Sequence, residues 1–244
     1  MRKYVIYNQE SKLSVESAQK CIEVAKNIGK IDVEMWNGIS RYDSKEKVQE
    51  YDLSLDKTFL HLKDDIRNWT QHSFEDSVVG CFLSHYSLWK ESIRTNERIL
   101  ILEHDALFTK KFEDFIFEGV LNLGKPIFGN DDWKNLDEGL NIRKPKLRGS
   151  NDLYWWGSYL HGAHSYIVTP KVSEMLVRYS HRKGISPTDT FIKSIYFPIA
   201  DLIPFCTRQN IESNFTLIQK PALQGQQPSV DDEEISKYGD DAWK

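Results

Sequence analysis

The strongest chemical signal in this 244-residue sequence is a pair of acids set two residues apart at the end of an apolar run. Residues 98–102 read Arg-Ile-Leu-Ile-Leu and lead straight into Glu103-His104-Asp105. Such a run predicts a buried strand. Residues i and i+2 of a strand point the same way, so Glu103 and Asp105 are expected to face one site. In open α/β sheets, ligands gather at the carboxyl edge of the strands. Carboxylates there suit a hard divalent cation that bridges to phosphate oxygens, and that arrangement would offset charge growing on a leaving diphosphate. A plain acidic turn closing a strand fits the same residues equally well.

Four other groups could act with this pair. His161 and His164 flank Gly162 and Ala163 ahead of an apolar strand. One of them, His164 before His161, is a candidate metal ligand through a neutral imidazole; a satisfied structural histidine is the alternative. Ser84 and His85 fall in Gly80-Cys-Phe-Leu-Ser-His, where a long helix is expected to open near amides suited to phosphate; His85 packed on the apolar face is the alternative. Asp189, in Pro187-Thr-Asp, is either an acid at a helix start or a general base that takes a hydroxyl proton. Arg143, Lys144, Lys146 and Arg148, followed by Tyr154-Trp155-Trp156, combine cations with stacking rings. They read as an acceptor-binding surface for a sugar, a phosphorylated glycan or single-stranded nucleic acid, or as a solvated loop beside core aromatics.

The elements that must position these residues follow from periodicity. Residues 4–7 read as a first strand, and Ala18, Cys21, Ile22, Ala25 and Ile28 as a helix capped by Ser14 or Ser17 and ended by Gly29. Residues 31–36 alternate as a second strand. This β-α-β opening predicts an α/β layer with parallel strands. Loops and short helices are expected over 40–70 and a strong helix over 78–93. A further helix is expected over 112–120, a short strand over 126–128 and a loop over 129–153. Residues 166–169 read as a strand, followed by a helix opening at Pro170, where proline is favoured. From residue 221 the chain turns polar, which predicts a loosely packed tail over 221–244 behind a single domain over 1–220.

The composition is that of a globular protein, 40% hydrophobic and 28% charged, and rich enough in apolar residues to bury a core. A net charge of -4 gives no whole-chain argument for nucleic acid or an anionic membrane, though it leaves a local basic patch open. Cys21, Cys81 and Cys206 form no C-x-x-C pair and read as reduced core thiols. No stretch approaches the roughly 20 apolar residues of a membrane span, and the opening apolar run is too short for a signal peptide. A soluble, cytoplasmic protein is the expectation.

Taken together, Gly80-Cys-x-x-Ser84-His85-x-x-x-Trp89, Ile99-Leu-Ile-Leu-Glu103-x-Asp105, Gly162-Ala-His164-x-Tyr166 and Pro187-x-Asp189 resemble glycosyltransferase family 25 in order and spacing over residues 75–195. That family includes bacterial lipopolysaccharide sugar transferases and the collagen galactosyltransferases. The resemblance implies a GT-A-like, Rossmann-like fold with a central, mostly parallel sheet. It also implies a nucleotide-sugar donor, usually a UDP-sugar, a divalent metal (Mn2+, or Mg2+), and an inverting transfer to a hydroxyl. The family's acidic motif maps onto Glu103, His104 and Asp105, with His104 departing from the usual acid. Donor binding then falls to Ser84, His85, Glu103 and Asp105, the metal to Asp105 and His164, and the base to Asp189. The implied acceptor is a glycan such as lipopolysaccharide. A second reading starts from a composition, rich in Lys, Asp, Ile and aromatics, that is similar to bacteriophage proteins. In it the chain adds a sugar to hydroxymethylcytosine in DNA, with the basic loop and Trp155 and Trp156 facing the duplex. A catalytically inactive sugar-binding module is a third class, and the retained Glu103 and Asp105 argue against it.

Overall fold

Strand β1 (Arg2–Tyr7) starts the fold, and helix α1 (Lys12–Val24) follows it at once. In the computed structural model, residues 1–56, 72–126, 134, 136–143, 159–160 and 163–210 are described. Ser11 caps α1 by accepting from the Ser14 amide, one turn before the expected caps. The helix then widens into a π turn over Ala25–Gly29, which Lys30 ends in the left-handed conformation. Strand β2 (Glu34–Asn37) is shorter than the expected 31–36 run and shifted toward its carboxyl end. Helix α2 (Ser44–Glu50) precedes the long α3 (His72–Thr95), and strand β3 (Ile99–Glu103) follows. Beyond it come β4 (Ala106–Phe108), β5 (Val120–Asn122), β6 (Gly139–Ile142) and β7 (Ser165–Val168). Helices α4 (Pro170–Lys183) and α5 (Thr188–Phe191) and strands β8 (Ile199–Ile203) and β9 (Thr207–Gln209) complete the described chain.

Seven strands form one sheet in the order β2-β1-β3-β7-β5-β8-β6, and β4 pairs with β9 in a small second sheet. β2, β1, β3, β5 and β8 run one way, while β7 and β6 run against them, so the direction is mostly shared, as expected. Both faces are covered. Along β3, Ile99 and Ile101 pack on one side with Phe82, Leu83 and Trp89 of α3. Leu100 and Leu102 pack on the other with Ala18 and Cys21 of α1. All four β3 side chains are fully buried, which is the period-two pattern of a strand between two helical layers. Because α1 and α3 lie on opposite faces, a crevice opens where their connections part, at the carboxyl ends of β1 and β3.

Two expected elements differ. Residues 112–120 do not form a helix: the Phe112 amide donates to the Gly29 carbonyl and Arg98 Nη1 donates to the Phe115 carbonyl. The segment's backbone is thus spent on tertiary partners, and β5 starts at Val120 instead. The expected loop over 129–153 contains strand β6. The short strand at 126–128 falls mostly outside the described residues, as does the tail over 221–244. Among the described residues, no helix is long and apolar enough to cross a membrane.

Candidate active site

The crevice is a cleft of about 120 Å³ lined by the ends of three parallel strands and by α3. β1 contributes Ile6, Tyr7 and Asn8, the loop after β2 contributes Gly38 to Arg41, α3 contributes Cys81, Ser84 and His85, and the end of β3 contributes Glu103, His104 and Asp105. The loop after β2 is pinned against its neighbours. The Gly38 amide donates to the Tyr7 carbonyl over 2.7 Å, and the Ile39 amide donates to Ser84 Oγ over 2.8 Å. Two glycines permit this approach. A Cβ on Gly80 would stand 2.6 Å from the Ile39 carbonyl oxygen, and one on Gly38 would stand 2.9 Å from Ser84 Oγ.

Ser84 and His85 do not sit at a helix start. α3 opens at His72, so both lie in mid-helix with their amides inside the helical ladder, and the amide-rich phosphate site expected there does not form. Ser84 Oγ accepts from Ile39 and donates to the Gly80 carbonyl, so it fastens the loop. His85 instead joins a buried relay. Trp89 Nε1 donates to the Tyr166 hydroxyl over 3.1 Å, that hydroxyl lies 2.8 Å from His85 Nδ1, and His85 Nε2 lies 3.2 Å from Glu103 Oε1. Indole can only donate, so the Tyr166 proton is free to go to Nδ1. Nε2 then carries the proton that binds Glu103. This chain holds the acid in place from the core outward.

Glu103 follows the β3 alternation onto the α3 face. Burial pushes its carboxyl up. The His85 hydrogen bond, with the imidazoles of His85, His164 and His104 close by, outweighs that and holds it below its ordinary value. Asp105 reaches the same cleft differently. The strand ends at Glu103, and residues 104–105 form a turn, so the i, i+2 rule does not carry through. Instead, β9 holds Asp105: Gln209 Nε2 donates to its Oδ2 over 2.6 Å, and the Asn210 amide donates to its carbonyl. Burial, then the Glu103 charge, raise the Asp105 carboxyl.

His164 sits beside this pair, its carbonyl accepting from the Glu103 amide over 2.8 Å. Burial lowers its imidazole, favouring the neutral, ligating form. Two buried atoms here, Asp105 Oδ1 and His164 Nε2, have no hydrogen-bond partner among the described residues. A carboxylate oxygen and a neutral imidazole nitrogen left unpaired in this way are the donor set a divalent cation takes. Cys81 Sγ, His85 and Glu103 also bring potential ligand atoms within 4.8 Å of one another, a grouping able to hold a metal. Both His85 nitrogens are hydrogen-bonded, however, and burial, then the Glu103 charge, push the Cys81 thiol well up, so these three fit a relay better than a coordination shell.

Asp189 lies in the first turn of α5, its Oδ1 accepting from the Thr190 amide over 2.8 Å. α5 is held by Phe191, which packs edge-on against Phe82 at 4.9 Å and stacks with Trp89 at 5.8 Å. The Asp189 side chain is exposed, yet the surrounding protein desolvates it and raises its carboxyl, with a smaller contribution from Glu103.

Arg143 does not face an acceptor. It is nearly buried at the end of β6, and its Nε and Nη2 grip both oxygens of Asp201 on β8 over 2.5 and 2.6 Å. It also donates to the Tyr159 carbonyl, and Asn122 Nδ2 donates to Asp201. The pair ties the sheet's outer strands together. Lys144, Lys146, Arg148, Trp155, Trp156, His161 and Gly162 lie outside the described residues. The relay partners Tyr166 and Trp89, the thiol of Cys81 and the loop residue Arg41 had no assigned role from sequence. The i, i+4, i+8 stripe Cys81–His85–Trp89 was the available signal for the relay.

The family model for glycosyltransferase family 25, described as LPS biosynthesis protein, matches residues 2–192. Procollagen galactosyltransferase 2 of Homo sapiens is 27% identical over 130 residues, covering 50% of this chain and 20% of that protein. A glycosyltransferase 25 family member of Anopheles gambiae is 26% identical over 119 residues, covering 48% and 20%. A procollagen lysyl hydroxylase and glycosyltransferase of Acanthamoeba polyphaga mimivirus is 24% identical over 187 residues, covering 68% and 18%. The matched part is thus at most 20% of the length of these relatives.

Proposed function

Since the chain belongs to glycosyltransferase family 25, we propose that it moves a sugar from a nucleotide-sugar, a UDP-sugar, to an acceptor hydroxyl, with the cleft between β1 and β3 as the donor site. The observation that carries this reading is the meeting of Glu103, Asp105 and His164 at the carboxyl edge of the sheet, with two buried ligand atoms left unpaired among the described residues. Asp105 and His164 are the residues that would hold Mn2+ or Mg2+, which when bound offsets the charge of the diphosphate. Glu103, braced by His85, Tyr166 and Trp89, keeps a fixed negative charge beside them.

Asp189 acts as the base. Its raised carboxyl is a stronger proton acceptor than an ordinary one, and its exposure lets an acceptor reach it. It takes the acceptor hydroxyl proton as that oxygen bonds to the anomeric carbon. The bond from that carbon to the diphosphate breaks, and the nucleoside diphosphate leaves with the electron pair. A single displacement of this kind inverts the anomeric centre. The proposed acceptor is a glycan, in line with the LPS biosynthesis description of the family. The alternative DNA acceptor loses Arg143 to Asp201, and nothing among the described residues favours it.

The test is a screen of nucleotide-sugars with Mn2+, scoring release of the nucleoside diphosphate, followed by Asp189→Asn in the active reaction. The variant is expected to keep donor affinity and lose about 10²–10⁴-fold in turnover, the usual cost of removing a general base. Donor affinity falling in step with turnover would reassign Asp189 to binding. Failure of every nucleotide-sugar to bind would reject the donor site.

A further inference from the structure

The cleft has an unbalanced charge. Its lining includes the carboxylates of Glu103 and Asp105, and a nucleoside diphosphate entering it brings more negative charge. Among the described lining residues, Arg41 is the one side chain with a permanent positive charge. Its backbone is fixed: Ser44 Oγ donates to the Arg41 carbonyl over 2.9 Å, and Ser40 Oγ bonds Asp43 in the same turn. Two residues earlier, Ile39 is pinned to Ser84, so the whole loop is clamped to α3. The side chain is far less committed. Its guanidinium lies over the exposed ring of Tyr42, 4.7 Å from the centroid, and donates to the Tyr42 hydroxyl. Its Nε is buried and has no hydrogen-bond partner among the described residues.

A buried guanidinium N–H without an acceptor is costly unless something supplies one. Arginine presents its donors in a planar fork that matches phosphate oxygens two at a time. The contact that holds the head group in place is with an exposed tyrosine, which water can replace at little cost. We propose that Arg41 is a donor-binding residue that grips the diphosphate of the nucleotide-sugar from the loop after β2, in the cleft that Asp105 also lines. This rests on the reading of the cleft as the donor site. It gives the diphosphate two anchors, one through the acid and histidine of the sheet edge and one direct cation from the loop.

The experiment titrates uridine diphosphate, guanosine diphosphate and uridine into the parent protein, Arg41→Gln and Arg41→Lys, with Mn2+ present, alongside a thermal melt of each. Arg41→Gln is expected to bind the favoured diphosphate about 10- to 100-fold more weakly, the range of one lost charge-assisted contact. Uridine affinity and melting temperature should not move, and Arg41→Lys should fall between. In transfer, the donor KM should rise with little change in kcat, the pattern of binding lost equally from ground and transition states. Loss of less than about twofold in diphosphate affinity would overturn the assignment. So would an equal loss for uridine, which would mark Arg41 as a structural support of the loop. If the parent protein binds no diphosphate at all, the donor-site reading falls, and this assignment with it. If the parent binds and Arg41→Gln binds equally, only this assignment falls.

Discussion

Tyr166→Phe isolates the buried relay. The substitution removes one oxygen from a fully buried ring and leaves the packing volume almost unchanged, so the cavity contribution is small. Two groups lose their partner together, Trp89 Nε1 at 3.1 Å and His85 Nδ1 at 2.8 Å. Each buried polar group left unpaired costs about 1–3 kcal/mol, and partial relaxation puts the sum near 2–4 kcal/mol. Part of this runs through Glu103. Its folded carboxyl lies below the unfolded value, so its stabilisation is present at neutral pH and is lost as pH falls through the depressed value. The share of the penalty transmitted by His85 to Glu103 should therefore fade in acid, while the Trp89 share persists. Urea unfolding at neutral and acid pH measures both, and nitrogen chemical shifts of His85 report which ring nitrogen holds the proton. A variant within about 0.5 kcal/mol of the parent, with the His85 proton still on Nε2, would refute the relay.

Gly80→Ala drives a methyl to 2.6 Å from the Ile39 carbonyl. It should cost about 1–3 kcal/mol in a melt and weaken nucleotide binding, because the loop after β2 must move. Arg143→Gln leaves Asp201 buried without its cation, and unfolding should show a loss of about 3–5 kcal/mol with donor and acceptor KM unchanged in the surviving folded protein. The Asp189 carboxyl is raised, so as pH falls it takes up its proton early; the acid limb of kcat/KM should lie above the ordinary carboxylate value of about 3.9.

The place of Glu103 at the centre of the candidate site was readable from sequence because one strand carries it. Ile99 to Leu102 is an uninterrupted apolar run, and it delivers Glu103 to the crevice as its periodicity requires. The start of α3 was not readable. Residues 72–77, polar apart from Phe74, precede the apolar stripe, so the pattern places the helix start near Val78 and Ser84 and His85 in its first turns. β8 was hidden by Asp201 at its centre, an acid that looks exposed until Arg143, 58 residues away, is brought onto it. The same contact explains why Arg143 looked like an acceptor-binding cation. Over 112–120 the aromatic spacing imitates a helix, but Phe112 and Phe115 commit their backbone groups to Gly29 and Arg98. At β8, Arg143 and residues 112–120, a long-range partner outweighed local pattern.

The four residues of α5 are too few for a helix to hold itself together, and its place depends on Phe191 seated among Phe82, Trp89 and Tyr179. Asp189 thus rides on a short segment held by side-chain packing, while Glu103 ends a strand whose other four residues are fully buried. Warming should loosen the short segment while the sheet stays intact. A displacement of about 1 Å at a catalytic group can cost on the order of 10²-fold in rate. If Asp189 is the base, transfer should then decline at temperatures where the protein is still folded and still binds its donor, and the thermal optimum would follow the seating of Phe191 and not the melting of the fold.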